Sequence, residues 1–232
     1  MNIKKPAWAN ANFIKILALI SMTIDHIGWI IFGGLKVLNI IGRISFPLFA
    51  YMIAEGSLYT KNRYRRLVNI FTLGVICQIF FFIFEKSLDL NIFITFSMSI
   101  LLITILQSAK EKKQFIFYPL FGVLAVVFFY FSEILPYKIN YYNFFVQYGA
   151  VGVFLPVAVY LLKNNWLKIL AVVIFMITFS LVRCDALYYW SLFSIIPLIL
   201  YNGQKGKWKI KYLFYLYFPL HFVVIYGISL LI

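Results

Sequence analysis

Residues 12–32 read NFIKILALISMTIDHIGWIIF, and this segment indicates the fold class. It is almost entirely apolar and about as long as the roughly 20 residues that a helix needs to cross a membrane. Lys4 and Lys5 precede it, as basic residues precede a secretory signal. The apolar run is too long for such a signal, and no small-residue cleavage site follows it. We therefore predict a retained first transmembrane helix.

The composition of the whole chain agrees with this first segment. Of its 232 residues, 64% are hydrophobic and 12% are charged, and the mean hydropathy is +0.93. Soluble domains average about 45–50% apolar and about 25% charged residues. The net charge of +14 does not indicate a nucleic acid partner, because excess Lys and Arg in a membrane protein report topology and contact with anionic lipids. We predict an integral membrane protein with membrane lipids, and no nucleic acid, as partners.

Nine segments are candidate spans, and the seventh and eighth are the shortest of them. They are residues 12–32, 40–58, 66–84, 92–108, 114–132, 146–162, 168–182, 186–201 and 211–231. Because no linker is long enough to separate two domains and no repeat is visible, residues 1–232 are predicted to form one all-α domain. The expected architecture is a polytopic transmembrane bundle of about nine helices. Cys77 and Cys184 show neither metal-ligand spacing nor a disulfide framework, so no metal is expected.

Basic residues alternate between the two sides of this bundle. The N-terminus and the loops after the second, fourth, sixth and eighth segments carry most of the 21 Lys and Arg residues. The opposite loops carry Lys36, Lys86, Lys138 and Arg183 together with four acidic residues. The positive-inside rule places the basic loops in the cytoplasm. We therefore predict a cytoplasmic N-terminus and, with nine helices, a C-terminus on the outer side.

Once the basic loops are set aside, together with Arg66, Lys168 and Lys211 at the first positions of their segments, few ionisable residues remain inside the predicted spans. They are Lys15, Asp25, His26, Arg43, Glu55 and His221. A charge at the centre of a spanning helix costs about 2.5–3.5 kcal/mol on the insertion scale, and such residues are functional candidates by default. Lys15 lies within reach of the cytoplasmic interface, so it is interpreted as an anchor.

Asp25 and His26 are predicted to point at different neighbours. Asp25 shares a helix face with Ala18, Ser21 and Gly28, and small residues on one face let helices approach closely. Asp25 should therefore point into the bundle. Consecutive residues differ by about 100° around a helix, so we expect each of the two side chains to meet another helix.

These residues, at overlapping depths, are the parts of a proton-transfer site. His26 or His221 could act as a base, Asp25 could orient a histidine, and Arg43 could stabilise an oxyanion. Tyr217 lies four residues before His221, on the same face. A structural interpretation stands beside this one, in which each histidine is an interhelical hydrogen-bonding residue, Arg43 extends to the head groups and Glu55 pairs with the basic residues that follow it.

The motifs of the chain resemble those of the TraX family of membrane proteins. They are IDHIG (residues 24–28), IGRISFPLFAYMIAEG (41–56), NIFITF (91–96), YGAVGV (148–153), PLILYNGQKGK (197–207) and KYLFYLYFPLHF (211–222). The resemblance spans nearly the whole chain and keeps the order of the motifs. One departure is Phe80, where the family pattern leads us to expect a proline.

This resemblance implies an activity. The family takes its name from conjugative plasmids, where the founding member acetylates the amino terminus of pilin. For this chain the resemblance implies a multi-pass acyltransferase of the bacterial cytoplasmic membrane, most simply an acetyltransferase. Its acceptor would be a peptide, pilin, lipoprotein or lipid. The residues that match the family's motifs and that we expect to be catalytic are Asp25, His26, Arg43, Glu55, Tyr217 and His221.

An acyl donor such as acetyl-CoA or another acyl-CoA would need cations for its phosphates on the cytoplasmic side. Two loops offer them. The residues expected to bind the cofactor are Arg63, Arg65, Arg66, Asn202, Gly203, Lys205 and Lys207. Both loops are equally explained as topology signals.

Two other classes of protein share these features. A proton-coupled or small-molecule transporter could use the same intramembrane polar residues, although no inverted repeat or matched pair of broken helices is visible. A non-catalytic scaffold for pilus or peptide export could use them only to lock helices together.

Overall fold

A computed structural model describes residues 5–139, 144–208 and 210–231, and this part of the chain is helical, with no strand. The helices are α1 (Ala11–Ile30), α2 (Lys36–Gly42), α3 (Ser45–Tyr59), α4 (Arg63–Glu85), α5 (Ile92–Lys112), α6 (Phe117–Phe129), α7 (Leu135–Lys138), α8 (Gly149–Leu161), α9 (Asn165–Arg183), α10 (Ile195–Leu200) and α11 (Lys211–Ser229). A π-helical turn, Tyr130–Ile134, joins α6 to α7, and a 3₁₀ helix, Ala186–Ser194, leads into α10.

Six helical runs in the described residues are long and apolar enough to cross a membrane. They are Ala11–Ile30, Lys36–Tyr59, Arg63–Phe84, Ile92–Lys112, Phe117–Lys138 and Asn165–Arg183. Three shorter apolar helices, Gly149–Leu161, Ala186–Leu200 and Leu213–Ser229, fall on the sixth, eighth and ninth predicted segments. The all-helical prediction is confirmed, whereas the number of spans and the cytoplasmic N-terminus stay predictions.

The seventh segment is longer than the sequence indicated. The side chain of Asn164 accepts a hydrogen bond from the Trp166 backbone N–H and so begins α9 three residues before the predicted start. Capping of this kind satisfies an N–H group that the first turn would otherwise leave without a partner. The earlier start places Lys168 inside the helix rather than at its first position, and the residue is buried. The seventh segment is therefore one of the six runs long enough to cross a membrane, and with 19 residues it is the shortest of the six.

The second segment contains a break that places Arg43. Pro47 cannot donate a backbone hydrogen bond to the carbonyl of Arg43, four residues earlier, and its ring crowds that carbonyl. Helix α2 accordingly ends at Gly42, Arg43 is its C-terminal cap, and α3 starts at Ser45. The interruption turns the Arg43 side chain back alongside its own helix, where Nε donates to the carbonyl of Asn39 at 3.3 Å.

The contacts divide the chain into two compact units, and the prediction of a single domain stays a prediction. The first unit comprises residues 1–52 and 164–232. Within it, α1 packs against α2 and α11. A Cβ atom on Gly28 would lie 2.8 Å from Cβ of Leu38, so the absence of a side chain there permits the close approach of α1 to α2.

The second unit comprises residues 53–163, and α5 is at its centre. Leu102, Ile103 and Leu106 of α5 form its core with two valines of α8. Asn91 begins α5 and donates to the carbonyl of Gly74 at 2.7 Å, which ties α5 to α4. Thr95, from the same NIFITF motif as Asn91, lies against Gly152 of the YGAVGV motif. Both motifs therefore contribute to packing within this unit.

Candidate functional site

Asp25 and Arg43 form a buried ion pair between α1 and α2 in the first unit. Arg43 Nη2 donates to both carboxylate oxygens of Asp25, at 2.7 and 2.8 Å. The Asn39 side-chain amide donates to Asp25 Oδ1 at 3.0 Å. Only 9% of the Arg43 side chain and 15% of the Asp25 side chain are exposed. Charge-assisted bonds of this length in a low dielectric hold both groups firmly.

Gly42 provides the space that this ion pair needs. A Cβ atom at position 42 would lie 2.2 Å from Cβ of Asp25 and 2.4 Å from its Cγ. The Asp25 side chain therefore lies directly against the backbone of α2. On the other side, the guanidinium carbon of Arg43 lies 5.3 Å from the ring centroid of Tyr188, within the range of a cation–π contact.

His26 and His221 bond directly to each other, between α1 and α11. The distance from His26 Nδ1 to His221 Nε2 is 2.9 Å. His221 Nδ1 lies 3.1 Å from the backbone carbonyl oxygen of Tyr217, one turn earlier in α11. His221 is 5% exposed, and the ring of Phe222 contacts both histidine rings. The two imidazoles thus lie in a chain of hydrogen bonds with mostly aromatic surroundings.

The Tyr217 hydroxyl is the third member of the predicted set that the structure brings to this place. It lies 2.6 Å from the hydroxyl of Thr23. Because Thr23 already donates to the carbonyl of Leu19 at 2.9 Å, the Tyr217 hydroxyl is the donor to Thr23. The aromatic rings of Tyr217 and His221 also stack, with an interplanar angle of 6°.

This geometry decides between several expectations. The prediction that Asp25 and His26 each meet another helix is confirmed, since Asp25 bonds to α2 and His26 to α11. The expectation that Asp25 orients a histidine is wrong, because its carboxylate is bound by Arg43 and Asn39 while a backbone carbonyl orients His221. The interpretation that Arg43 extends to the lipid head groups is also wrong, because the residue is 8% exposed.

Glu55 falls in the other unit. It lies in the part of α3 that follows Met52 and is 7% exposed. Its predicted catalytic role stays a prediction. Arg66, in the same unit, bonds to the Ser57 hydroxyl at 2.7 Å and to the carbonyl of Ile53 at 2.9 Å.

The residues predicted to bind an acyl donor are divided between the units. In the second unit, Arg63 pairs with Glu111, Arg66 is bonded within its unit as above, and Arg65 is exposed. The side chains of Arg63 and Arg66 therefore bond to other residues of the protein, while Arg65 lies at the surface. Cofactor binding by these residues stays a prediction.

In the first unit, the loop after α10 is fastened to the N-terminal segment. The Asn202 side chain donates to the carbonyls of Pro6 and Ala7, at 3.0 and 3.2 Å, and its backbone N–H donates to the carbonyl of Ala9. Asn202 thus has a structural role that its sequence position did not indicate. Gly203 has a φ of +75°, which favours glycine. Lys205 and Lys207 remain exposed.

Four residues of the site were missed by the sequence reasoning. They are Thr23, Asn39, Gly42 and Tyr188. A signal existed for two of them, because Asn39 lies one helical turn before Arg43, and Gly42 adjoins it within an otherwise apolar segment. Tyr188 lies far along the chain in an aromatic-rich stretch, where nothing in the sequence distinguishes it from its neighbours.

The fold and the site together define a helical membrane protein with a polar cluster among its apolar helices. Comparison with protein families identifies residues 10–229 as TraX (TraX protein), so the chain belongs to the TraX family. This confirms the resemblance that its motifs indicated.

Two individual proteins are similar in sequence. The "Probable fimbrial assembly protein FimC, serogroup H1" of Dichelobacter nodosus is 25% identical over 236 residues, which cover 91% of this chain and 92% of that protein. The "Uncharacterized protein RP591" of Rickettsia prowazekii (strain Madrid E) is 41% identical over 85 residues, which cover 36% of this chain and 32% of that protein. No solved structure matches the chain.

Proposed function

We propose that this protein is a membrane-embedded acyltransferase of the bacterial cytoplasmic membrane. Its donor is acetyl-CoA or another acyl-CoA, and its acceptor is an amine or hydroxyl on a peptide, pilin, lipoprotein or lipid. The observation that carries the proposal is the His26–His221 pair, held by a backbone carbonyl and in contact with the ring of Phe222. An imidazole is the side chain best suited to take and return a proton near neutral pH.

The proposed reaction uses the histidine pair as a general base. The pair takes the proton from the acceptor amine or hydroxyl, whose lone pair attacks the thioester carbonyl carbon. The new bond to carbon forms, the carbon–sulfur bond breaks, and the leaving thiolate takes the proton back from the histidine pair. Atoms and charge balance without a further reactant.

Arg43 supplies positive charge to the oxygen that becomes negative in this reaction. The Asp25 carboxylate accepts from Arg43, and the Asn39 amide donates to the same carboxylate, so the three groups are held in one geometry. Preorganised charge of this kind needs no reorganisation at the moment of reaction, and removing one such donor typically costs about 10²–10³ in rate.

The name of the Dichelobacter relative supports an acceptor class. That protein is described as a probable fimbrial assembly protein, and fimbriae are built from protein subunits. A role in pilus assembly through acylation of a pilus subunit is therefore the first acceptor to test. For the donor, the exposed Lys205 and Lys207 are cations that an acyl-CoA phosphate could meet.

The proposal is tested by mass spectrometry. Protein in detergent is incubated with isotope-labelled acetyl-CoA and a membrane extract, for the wild type and for His26→Ala and His221→Ala. Labelled product from the wild type, lost in a folded histidine variant, supports an acyltransferase, and the product mass identifies the acceptor. Neither CoA release nor labelled product from folded wild-type protein would reject acetyl-CoA as the donor.

A second arm separates the competing classes of protein. A transporter should move its substrate into liposomes in the absence of any acyl donor. A scaffold should show no acyl transfer in the wild type, and its histidine variants should change only folding. The matched control for the histidine variants is Gly227→Ala in α11, where a Cβ atom would meet nothing within 4 Å.

A further inference from the structure

Hydrogen-bond chemistry assigns different roles to the two histidines. We infer that the Nε2 atom of His26 is the basic nitrogen of the site, and that His221 is a positioning residue that fixes the tautomer of His26. This inference rests on the proposed function for its role in catalysis. The assignment of protons stands on geometry alone.

His221 Nδ1 lies 3.1 Å from the Tyr217 carbonyl oxygen. A carbonyl oxygen accepts hydrogen bonds and cannot donate them, so Nδ1 of His221 carries a hydrogen. A neutral imidazole has one donor and one acceptor nitrogen. His221 Nε2 is therefore the acceptor nitrogen of the neutral ring.

The acceptor nitrogen of His221 decides which nitrogen of His26 carries the hydrogen. Its Nδ1 lies 2.9 Å from His221 Nε2, so His26 Nδ1 must be the donor. By the same rule, Nε2 of His26 has no hydrogen and presents a lone pair. The hydrogen bond made by one ring nitrogen thus decides which nitrogen of the other ring is basic.

The four ring nitrogens of the pair differ in whether they are free to meet a substrate. Three of the four ring nitrogens take part in the two bonds just described, and both nitrogens of His221 are among them. His221 is buried, whereas His26 is partly exposed. The lone pair of His26 Nε2 is therefore the one that these two bonds leave for a substrate proton.

The direction of the hydrogen bonds from His26 through His221 to the Tyr217 carbonyl explains why a histidine is suited to position 221. A leucine there would fill space without accepting a hydrogen bond, and His26 would be free to take the Nε2-protonated form, which cannot act as a base at that atom. A glutamine places its amide oxygen near the position of a histidine Nε2. It could therefore accept from His26 Nδ1 and keep Nε2 of His26 unprotonated.

The test begins with nitrogen NMR of the full-length protein in detergent, with ¹⁵N-labelled histidine. Because the chain has two histidines, single His26→Gln and His221→Gln variants assign the signals. We expect His26 Nδ1 protonated and Nε2 unprotonated in the wild type, and unchanged in His221→Gln. In His221→Leu we expect the Nε2-protonated form. A hydrogen on His26 Nε2 in the wild type would overturn the inference.

Acyl transfer provides the second readout. We expect His221→Gln to stay within about fivefold of the wild-type kcat, which corresponds to one weakened hydrogen bond, and His221→Leu to lose at least about 100-fold. Equal loss in both variants, or loss in neither, would contradict the positioning role. If the wild type transfers no acyl group, the proposed function fails, while the NMR result still decides the tautomers.

Discussion

Gly42 lies against Asp25 with no room for a side chain, since a Cβ atom there would be 2.2 Å from the Asp25 Cβ. We expect Gly42→Ala to push α1 from α2 or to displace the ion pair, because overpacking a close contact costs typically about 1–3 kcal/mol. The free energy of unfolding, measured by SDS titration in mixed micelles, should fall by that amount. Acyl transfer should fall with it.

The control is a helical glycine in open surroundings in the same unit. Gly227 in α11 has no atom within 4 Å of an added Cβ. Gly227→Ala should leave stability unchanged or raise it by about 0.4–1 kcal/mol, because alanine reduces the freedom of the unfolded chain. Equal destabilisation by the two substitutions would show that contact with Asp25 is not the cause.

The Asp25–Arg43 pair gives a second prediction at the level of residues. Arg43→Leu leaves the Asp25 carboxylate buried without its cation, and breaking a buried pair costs about 3–5 kcal/mol. Adding Asp25→Asn removes the stranded charge, so the double variant should be more stable than Arg43→Leu alone. The same SDS titration checks this order, and the reverse order would mean that a stranded Asp25 carboxylate is not what destabilises Arg43→Leu.

Individual residues were partly predictable from the sequence. Asp25 and His26 could be singled out because ionisable groups are rare in apolar helices. Their partners could not be deduced, because the choice between Arg43 and a histidine depends on the rotation of α1 against α2. A change of one residue in that rotation, about 100°, would exchange the neighbours of Asp25 and His26.

At the level of elements, the break between α2 and α3 shows what hydropathy cannot provide. Residues 40–58 were predicted as one apolar helix, and the helical run is indeed nearly continuous from Lys36 to Tyr59. The interruption at Arg43 follows from Pro47, whose effect is felt four residues earlier. Periodicity detects the apolar face of a helix, whereas this local backbone effect decides where the charged side chain points.

The N-caps of α5 and α9 form a matched pair for a prediction at this level. Asn91 caps α5, is 2% exposed and also donates to Gly74 and Gln78. Asn164 caps α9 and is exposed. Replacing an N-cap by alanine costs about 1 kcal/mol, whereas leaving buried partners without bonds adds about 1–3 kcal/mol.

Asn91→Ala should therefore destabilise the protein more than Asn164→Ala, by about 1–3 kcal/mol. Thermal unfolding in detergent, followed by circular dichroism, measures both. Similar melting temperatures for the two variants would mean that the bonds from Asn91 to α4 contribute little beyond the cap itself.

For the whole molecule, the apolar segments were predictable because polar residues lie between them. Their lengths were less predictable, since helix ends depend on caps such as Asn164 rather than on hydropathy. Hydropathy did not indicate the two compact units, because the boundary falls inside the apolar helix α3. Orientation rests on charge alone, and it can be tested directly.

The two native cysteines are suited to this test of orientation. Cys184 is exposed at the end of α9, in a loop that the positive-inside rule places outside, whereas Cys77 is 2% exposed. A membrane-impermeant maleimide added to spheroplasts that express the protein should therefore label Cys184. The label should disappear in Cys184→Ser, since Cys77 is buried.

A cysteine on the predicted cytoplasmic side tests the other face of the membrane. Lys205 is exposed in the loop between α10 and α11, so Lys205→Cys in the Cys184→Ser background should be labelled only after the membrane is opened. The opposite pattern for both sites would invert the whole topology, because one orientation fixes both loops. Labelling of both sites from outside would instead mean that the apolar run Ala186–Leu200 does not cross the membrane. In that case the number of spans, rather than the orientation, would need revision.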